Sequence, residues 1–215
     1  MGKRLIGSRR GFIPHITRAM LKRQMNMHKL CEGFTMVEIV VMLSIITAIS
    51  GIVLASFTGL NESSSTNRSS RELALAIRRA QNMSLAVTQI EAGSPPTSQI
   101  PPGIGVRLDS TDPTKYFLFA DLAPANFKYN GTEEKITTTE TIFERRVKIN
   151  RMVGEAGQEY STIHVVFTAP EATLFITNES GVAISGDKID VELISPSGQL
   201  KKTVTIRVSG QISIK

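Results

Sequence analysis

The sequence predicts an α+β fold, with one long N-terminal helix packed on a mostly antiparallel β-sheet domain. Three observations lead to this prediction. An uncharged apolar run covers Ile39 to Phe57, a stretch with helical periodicity covers Arg71 to Glu91, and short β-rich runs separated by turn residues fill the remainder. Because no helical pattern separates these short runs, an antiparallel sheet is favoured over a parallel one.

The basic charge of the chain is concentrated at its N-terminus. The 215 residues carry 25 Lys and Arg and 19 Asp and Glu side chains, which gives a formal net charge of +6. Residues 1–33 hold eight of the basic groups and one acidic group, which leaves 17 basic and 18 acidic groups in residues 34–215. We therefore interpret 1–33 as a basic leader peptide that is removed, and the charge of +6 as a property of the precursor.

Few residues suited to catalysis or metal binding follow this leader. The single cysteine, Cys31, lies within it, as do His15 and His28, so that His164 is the only histidine in the rest of the chain. No intrachain disulfide and no thiolate metal site can form there. We expect no enzymatic activity, no catalytic residues, no cofactor and no metal site.

The apolar run from Ile39 to Phe57 has the length of a membrane span. Its 19 residues would rise about 28 Å as a helix, close to the roughly 30 Å of a hydrocarbon core. Basic residues precede the run and the next one is Arg68, so the positive-inside rule places the N-terminus in the cytoplasm and the C-terminal domain outside. We assign residues 34–58 to a transmembrane and assembly helix.

Residues 59–92 are assigned to the amphipathic half of the same long helix. From Gly59 to Ser70 the chain is polar and rich in serine, a composition that by itself is typical of a loop or a frayed helix. Beyond it, apolar residues recur at spacings of three and four, which predicts a helix with one face on a core. These residues are Leu73, Ala76, Ile77, Ala80, Met83, Val87 and Ile90.

Residues 93–215 are assigned to a β-rich globular domain. The prolines and glycine between Ala92 and Pro102 cannot continue a helix. In the run from Val204 to Val208, polar residues alternate with apolar ones, as expected for a sheet with one solvated face. The predicted strands are Gly105–Leu108, Lys115–Ala120, Thr141–Ile149, Ser161–Phe167, Ala172–Ile176, Ile189–Ile194, Val204–Val208 and Ile212–Ile214.

The segment between leader and apolar run reads Cys-Glu-Gly-Phe-Thr-Met-Val-Glu, from Cys31 to Glu38. It resembles the prepilin signal of type IV pilins and type II secretion pseudopilins. The resemblance implies cleavage between Gly33 and Phe34, N-methylation of Phe34, and recognition by the prepilin peptidase through Thr35 and Glu38. The implied partners are this peptidase and methyltransferase, other pilin or pseudopilin subunits, the inner-membrane assembly platform and the lipid bilayer.

Glu38 has a physical reason to seek a cation. An unpaired carboxylate costs up to about 3 kcal/mol at the centre of a membrane and less near its edge. The new amine of Phe34, with an ordinary pKa of about 8, would be charged. In a bundle of parallel helices, that amine on one subunit could pair with Glu38 of its neighbour and set the axial offset between them.

The remaining sequence is similar to the H-type minor pseudopilins and related minor pilins. The similarity rests on the amphipathic stretch Arg71–Glu91 and on the runs Pro101–Val106, Tyr116–Asp121 and Val204–Ile214. Those proteins carry a β domain on the helix and end in a short strand pair. It implies a minor subunit of a type IV pilus or a type II secretion pseudopilus, held in the inner membrane by one span before assembly. Ala55 stands near the position where major pilins often have a proline, which disfavours a major pilin.

Two other functions stay open. Lys201, Lys202, Arg207 and Lys215 form a basic group that a DNA-uptake or adhesive minor pilin could use to contact phosphates, although no aromatic residue is interleaved among them. The chain could instead be a generic signal-anchored exported domain. The type of filament and the start codon, at Met1, Met20, Met25 or Met27, are also left open by the sequence.

Three weaker patterns are interpreted as structural. Gly103 and Gly105 lack the third glycine and the helix of a dinucleotide loop, and are interpreted as a strand-entry turn. His164 is interpreted as a residue of a sheet. The acidic residues near 190 lack the spacing of a calcium loop and are interpreted as a solvated turn and strand edge: Asp187, Asp190 and Glu192.

Overall fold

The computed structural model describes residues 33–92, 97–136 and 140–215. The chain divides between Val53 and Leu54 into two compact units. Helix α1 covers Met36–Leu85, and a 3₁₀ helix covers Glu144–Arg146. The strands of the described residues are β1 (Ile90–Ala92), β2 (Thr97–Gln99), β3 (Gly103–Asp109), β4 (Lys115–Asp121), β5 (Thr141–Ile142), β6 (Lys148–Gly154), β7 (Glu159–Tyr160), β8 (Thr162–Thr168), β9 (Thr173–Asn178), β10 (Lys188–Ile194), β11 (Lys201–Arg207) and β12 (Ile212–Ile214).

The strands of the second unit form two five-stranded antiparallel sheets and a short hairpin. One sheet has the order β12-β11-β10-β6-β7, the other has the order β5-β4-β3-β8-β9, and β1 pairs with β2. Every pairing between these strands is antiparallel. The α+β class with a long N-terminal helix is confirmed, and the β domain contains two larger sheets rather than one.

A single core of apolar side chains includes residues of both large sheets and of α1. From the helix it takes Leu73, Ala74, Ile77 and Ala80, all buried. The predicted apolar face between residues 73 and 80 is therefore confirmed. Burial of such a face, more than helix propensity, stabilises helices in proteins.

The serine-rich segment is helical, contrary to what its composition by itself suggested. Ser65, Thr66, Ser69 and Ser70 are buried in the second unit. Thr66 Oγ1 donates to the Glu62 carbonyl oxygen at 2.8 Å and Ser70 Oγ to the Asn67 carbonyl oxygen at 2.9 Å. Because the helix's own backbone satisfies the hydroxyls of Thr66 and Ser70, these small polar side chains can occupy a buried face without interrupting the helix.

The helix ends at Leu85, earlier than the predicted end of the segment at residue 92. Val87 has a φ of +47°, a left-handed conformation that a helix cannot contain and that a β-branched residue rarely adopts. Val87 is exposed, and Ile90 belongs to β1 rather than to the apolar face of the helix. Sequence periodicity continued through this break because both residues happen to fit the helical spacing.

The predicted strand Thr141–Ile149 is also wrong as a single element. It consists of β5, the 3₁₀ helix and the first residues of β6. Arg145 and Arg146 have φ values of +50° and +62°, which an extended strand does not allow. In β11, Thr205 is buried although its position was predicted to face solvent, and Val208 lies beyond the strand and is exposed.

Candidate functional site

The predicted cleavage site lies just before the start of α1. Gly33, Phe34 and Thr35 have no regular secondary structure and are exposed, with Phe34 67% accessible. Apart from Gly33 itself and its two neighbours in the chain, no described residue has an atom within 4 Å of the position that a Cβ on Gly33 would take. No other part of the described chain therefore covers the Gly33 side of the peptide bond between Gly33 and Phe34. The rest of the predicted leader lies outside the described residues.

Thr35 caps the N-terminus of α1. Its Oγ1 accepts a hydrogen bond from the Glu38 backbone N–H at 3.2 Å, and its carbonyl oxygen accepts one from the Ile39 N–H at 3.2 Å. Threonine followed three residues later by glutamate is the spacing of a capping box, and a carboxylate in the first turn is favoured by the helix dipole. This structural role was not inferred from the sequence, although the Thr-x-x-Glu spacing signalled it.

Glu38 occupies the first turn with an exposed side chain. Among the described residues, no cation lies within ion-pair distance of its carboxylate. The capping bond involves the Glu38 backbone only, so both carboxylate oxygens are open to a partner outside the chain. The pairing predicted for Glu38 would be such an intermolecular contact.

The described part of the first unit, residues 33–53, presents apolar side chains on all sides of the helix. Every residue from Met36 to Val53 is exposed, and the hydroxyls of Ser44 and Thr47 donate to the carbonyl oxygens of Val40 and Leu43 at 2.6 and 2.7 Å. These bonds lower the cost of placing hydroxyls in lipid. By length and composition, α1 is the one helix of the described residues that could cross a membrane.

The basic residues near the C-terminus are interspersed with carboxylates on a sheet surface. Lys201 Nζ lies 3.0 Å from Glu192 Oε1, and Arg151 lies 3.2 Å from the other oxygen of the same carboxylate. These cations help to hold the pKa of Glu192 below its ordinary value, against the opposing effect of burial. A phosphate approaching Lys201 would therefore meet a charged carboxylate.

The other three basic residues do not join Lys201 in one patch. Arg207 is exposed at the opposite end of β11 and lies across from Lys188. Lys202 is half-buried and lies two positions before buried Val204, on the same face of the strand, whereas Lys215 follows β12. The four basic residues thus lie on or next to strands β11 and β12 but do not form a continuous cationic surface.

His164 is a buried residue of β8, as the sequence predicted. Its side chain is T-shaped against Phe119, and its Nδ1 lies 3.2 Å from the Asn178 carbonyl oxygen. Burial lowers the pKa of His164 to about 4, and the nearby Arg107 acts in the same direction. The ring is therefore neutral near pH 7 and acts as part of the sheet interior.

The two remaining sequence patterns also lie in sheets or turns. Gly103 and Gly105 are both inside β3 rather than at a turn before it, and a Cβ on Gly105 would approach the Phe119 ring to 2.6 Å. Asp190 accepts a hydrogen bond from Thr205 Oγ1, and the Asp187 N–H donates to Glu155. Within the described ranges, no group of three His, Cys, Asp or Glu side chains is placed to hold a metal ion.

Comparison with protein-family models, with curated proteins and with solved structures finds no match for this chain.

Proposed function

We propose that the chain is a minor pilin or pseudopilin, a structural subunit that is cut between Gly33 and Phe34 and assembles through α1 into a type IV pilus or a type II secretion pseudopilus. The observation that carries the proposal is one juxtaposition. A glycine–phenylalanine bond lies outside the helix, and directly behind it begins an apolar exposed helix whose first turn holds an unpaired carboxylate.

Each part of this juxtaposition suits assembly from a membrane. Cutting before the apolar segment removes the basic leader but leaves the anchor on the subunit, so that the subunit stays in the bilayer. Once assembled, the apolar side chains of α1 would pack against those of neighbouring subunits, which removes them from lipid. A charged N-methylated amine at Phe34 would then meet Glu38 of a neighbour in a dry environment, where an ion pair is strong.

The alternative of a DNA-binding minor pilin has less support. Its basic residues are separated, and Lys201 already pairs with Glu192. Neutralisation of phosphates would require these cations to be available together, and binding would weaken steeply with salt. Salt-dependent binding of DNA by the full chain, lost when Lys201 and Arg207 are both replaced by glutamine, would favour this alternative.

Mass spectrometry of the N-terminus tests the proposal. In a host with a prepilin peptidase, we expect the membrane-extracted chain to begin at N-methyl-Phe34, and Gly33→Val to abolish cleavage. Gly51→Val is the matched control, because Gly51 also has no atom within 4 Å of its Cβ position, and it should be cut normally. An ordinary signal peptidase could instead cut after Ala55, in the sequence Val-Leu-Ala from Val53 to Ala55. A mature chain that begins at Ser56, or unchanged cleavage of the Gly33→Val variant, would therefore indicate a generic exported domain.

The assembly step is separable from cleavage. Glu38→Gln keeps the size of the side chain and removes its charge, so we expect normal processing but little incorporation into filaments, at least tenfold below wild type by quantitative immunoblot of sheared filaments. Glu133→Gln, on an exposed loop residue of the second unit, is the control. Full incorporation of Glu38→Gln would remove the assigned role of this carboxylate.

A further inference from the structure

Strand β12 leaves part of its backbone unpaired at the edge of its sheet. It is the terminal strand of the β12-β11-β10-β6-β7 sheet and pairs with β11 alone among the described strands. Thr203 and Lys215 exchange both backbone hydrogen bonds, at 3.1 and 2.9 Å. Because bonded and non-bonded pairs alternate in an antiparallel ladder, the N–H and C=O groups of Ile212 and Ile214 point away from β11.

An apolar groove lies beside this edge. It has a volume of about 320 Å³ and is lined by Arg71, Ala74, Leu75 and Arg78 of α1 and by Ile212 and Ile214 of β12. All of these residues belong to the second unit. Leu75 is 61% and Ile214 is 39% exposed, so that apolar surface faces solvent at a place where backbone groups are also unpaired. An exposed edge with these properties is a template for another strand.

Two cations flank the apolar surface. Arg71 and Arg78 are exposed, and within the described residues no carboxylate lies within ion-pair distance of either. By contrast, Arg68 on the same helix is paired with Glu72 at 3.2 Å and with Glu144 at 3.4 Å. The groove is thus positive where the neighbouring helix surface is neutralised, which favours a negatively charged occupant.

We propose that this groove binds an extended, acidic segment of another polypeptide by strand addition to β12. The backbone of that segment would bond to the free groups of Ile212 and Ile214, its apolar side chains would cover Leu75, and its carboxylates would meet Arg71 and Arg78. Alternate residues of a strand share a face at about 7 Å spacing, so a glutamate, a valine and a glutamate at positions i, i+2 and i+4 would all face the groove, with the valine at Leu75 and the carboxylates at the two arginines. The basic leader is excluded as the occupant by its charge.

This proposal does not depend on the proposed function, since the groove belongs wholly to residues of the second unit. Binding should therefore be present in the unprocessed precursor as well as in the mature chain. A failure of cleavage at Gly33 would leave the groove proposal intact. A failure of the groove to bind would equally leave the filament proposal intact.

Fluorescence anisotropy with labelled peptides tests the groove on the full chain in detergent micelles. The probe is a seven-residue peptide with the sequence Thr-Glu-Thr-Val-Thr-Glu-Thr, which places the valine and both glutamates on one strand face, and the comparison peptide has lysine in place of both glutamates. We expect the acidic peptide to bind at least tenfold more tightly. The double variant Arg71→Glu and Arg78→Glu should reverse this preference. The control is Arg79→Glu, because Arg79 lines a different cleft beside Tyr116 and Leu118, and this variant should keep the preference.

Two further measurements separate strand addition from simple charge attraction. N-methylation of alternate peptide bonds of the probe, on the edge that would face β12, should reduce binding at least tenfold. Ile214→Pro removes one outward N–H without touching the bonds to β11 and should weaken binding while leaving the circular dichroism spectrum unchanged.

Three results would overturn the proposal. The first is binding that depends on the charge of the peptide but is unchanged by N-methylation of the probe and by Ile214→Pro. The second is tighter binding to vesicles of anionic lipid than to the acidic peptide, where the vesicle binding is lost in the Arg71→Glu and Arg78→Glu variant. Self-association of the full chain, measured by sedimentation in detergent and lost in Arg71→Glu and Arg78→Glu, would identify a second copy as the occupant instead.

Discussion

Several buried polar side chains of the second unit are held by the backbone around them. Asp121 is fully buried and accepts hydrogen bonds from the N–H groups of Asn126 at 3.2 Å and Phe127 at 3.0 Å. Burial and the nearby Glu134 raise the pKa of Asp121, while these two bonds oppose the rise. The Glu134 carboxylate accepts hydrogen bonds from the backbone N–H groups of Leu122 and Asn130, so that Asp121 and Glu134 together order the loop that follows β4.

His164 gives the clearest dependence of stability on pH. Its pKa is about 4 in the folded chain and about 6.5 when unfolded. Between these values the unfolded state binds a proton that the folded state does not, so stability falls as the pH drops from 6.5 to 4, by about 2 to 3 kcal/mol in total. Above pH 6.5 this contribution is constant.

Replacement of this ring should therefore flatten the pH dependence. We expect His164→Gln to be less stable than wild type at pH 7.5, because it loses packing against Phe119, but to lose less additional stability on acidification to pH 4.5. Thermal unfolding followed by circular dichroism at both pH values measures the difference. Equal losses for the two proteins would show that other groups, such as Asp121, account for the acid sensitivity.

At the level of elements, the helix contacts the sheets through hydroxyl groups as well as through apolar side chains. The buried Ser84 Oγ donates to the Phe167 carbonyl oxygen at 3.0 Å, and the exposed Ser197 Oγ, between β10 and β11, donates to the Glu62 carboxylate. Ser69 Oγ is buried in the same unit but has no partner among the described residues. Ser84 and Ser69 of the same helix therefore differ: a hydrogen bond offsets the cost of burying the Ser84 hydroxyl, and none does so for Ser69.

This difference predicts opposite effects of the same substitution. Ser84→Ala leaves the Phe167 carbonyl without a donor and should lower the free energy of unfolding by about 1 kcal/mol. Ser69→Ala removes an uncompensated hydroxyl and improves helix propensity, and should raise it by about 0.5 to 1 kcal/mol. Denaturant unfolding of Ser84→Ala and Ser69→Ala measures the change in the free energy of unfolding for each variant. Destabilisation of similar size in both would mean that Ser69 is compensated by water.

The elements that the sequence predicted well are those with local patterns. Apolar spacing located the core face of α1, and β-rich runs located β3, β4, β8, β9, β10 and β12. The departures come from contacts that are distant in sequence or from backbone conformations that no side-chain pattern encodes. Val87 and Arg145 break elements through positive φ values. The serine-rich turns, which were assigned to the helix although their composition is typical of a loop, are helical with one face buried in the second unit.

Some parts of the candidate site could be predicted from the sequence and others could not. Gly33, Phe34 and Glu38 form a local motif that the sequence displays directly. The Thr-x-x-Glu spacing also signals the cap that Thr35 Oγ1 makes, whereas the pairing of Lys201 with Glu192 joins two strands of a sheet and depends on their register. Strand register decides whether basic residues form one patch, and composition carries no information about register.

At the scale of the whole molecule, charge and hydropathy divide the chain. Eight basic residues precede the apolar helix, and residues 34–215 are nearly neutral as a group. The proposed orientation, with the N-terminus in the cytoplasm and residues after the apolar run outside, follows from this asymmetry. The neutral second unit gives no reason for the membrane surface to attract it, so the anchor alone would hold the precursor in place.

The single cysteine permits a direct test of this orientation. In a host without the prepilin peptidase, Cys31 of the uncut chain should be protected from a membrane-impermeant maleimide applied to intact spheroplasts, and labelled after lysis. In the double variant Cys31→Ser and Gln199→Cys, the new thiol, at an exposed residue between β10 and β11, should be labelled before lysis. Labelling of Cys31 from outside, with protection of the cysteine at position 199, would indicate the opposite orientation. The second unit would then lie in the cytoplasm, on the wrong side of the membrane for the proposed filament.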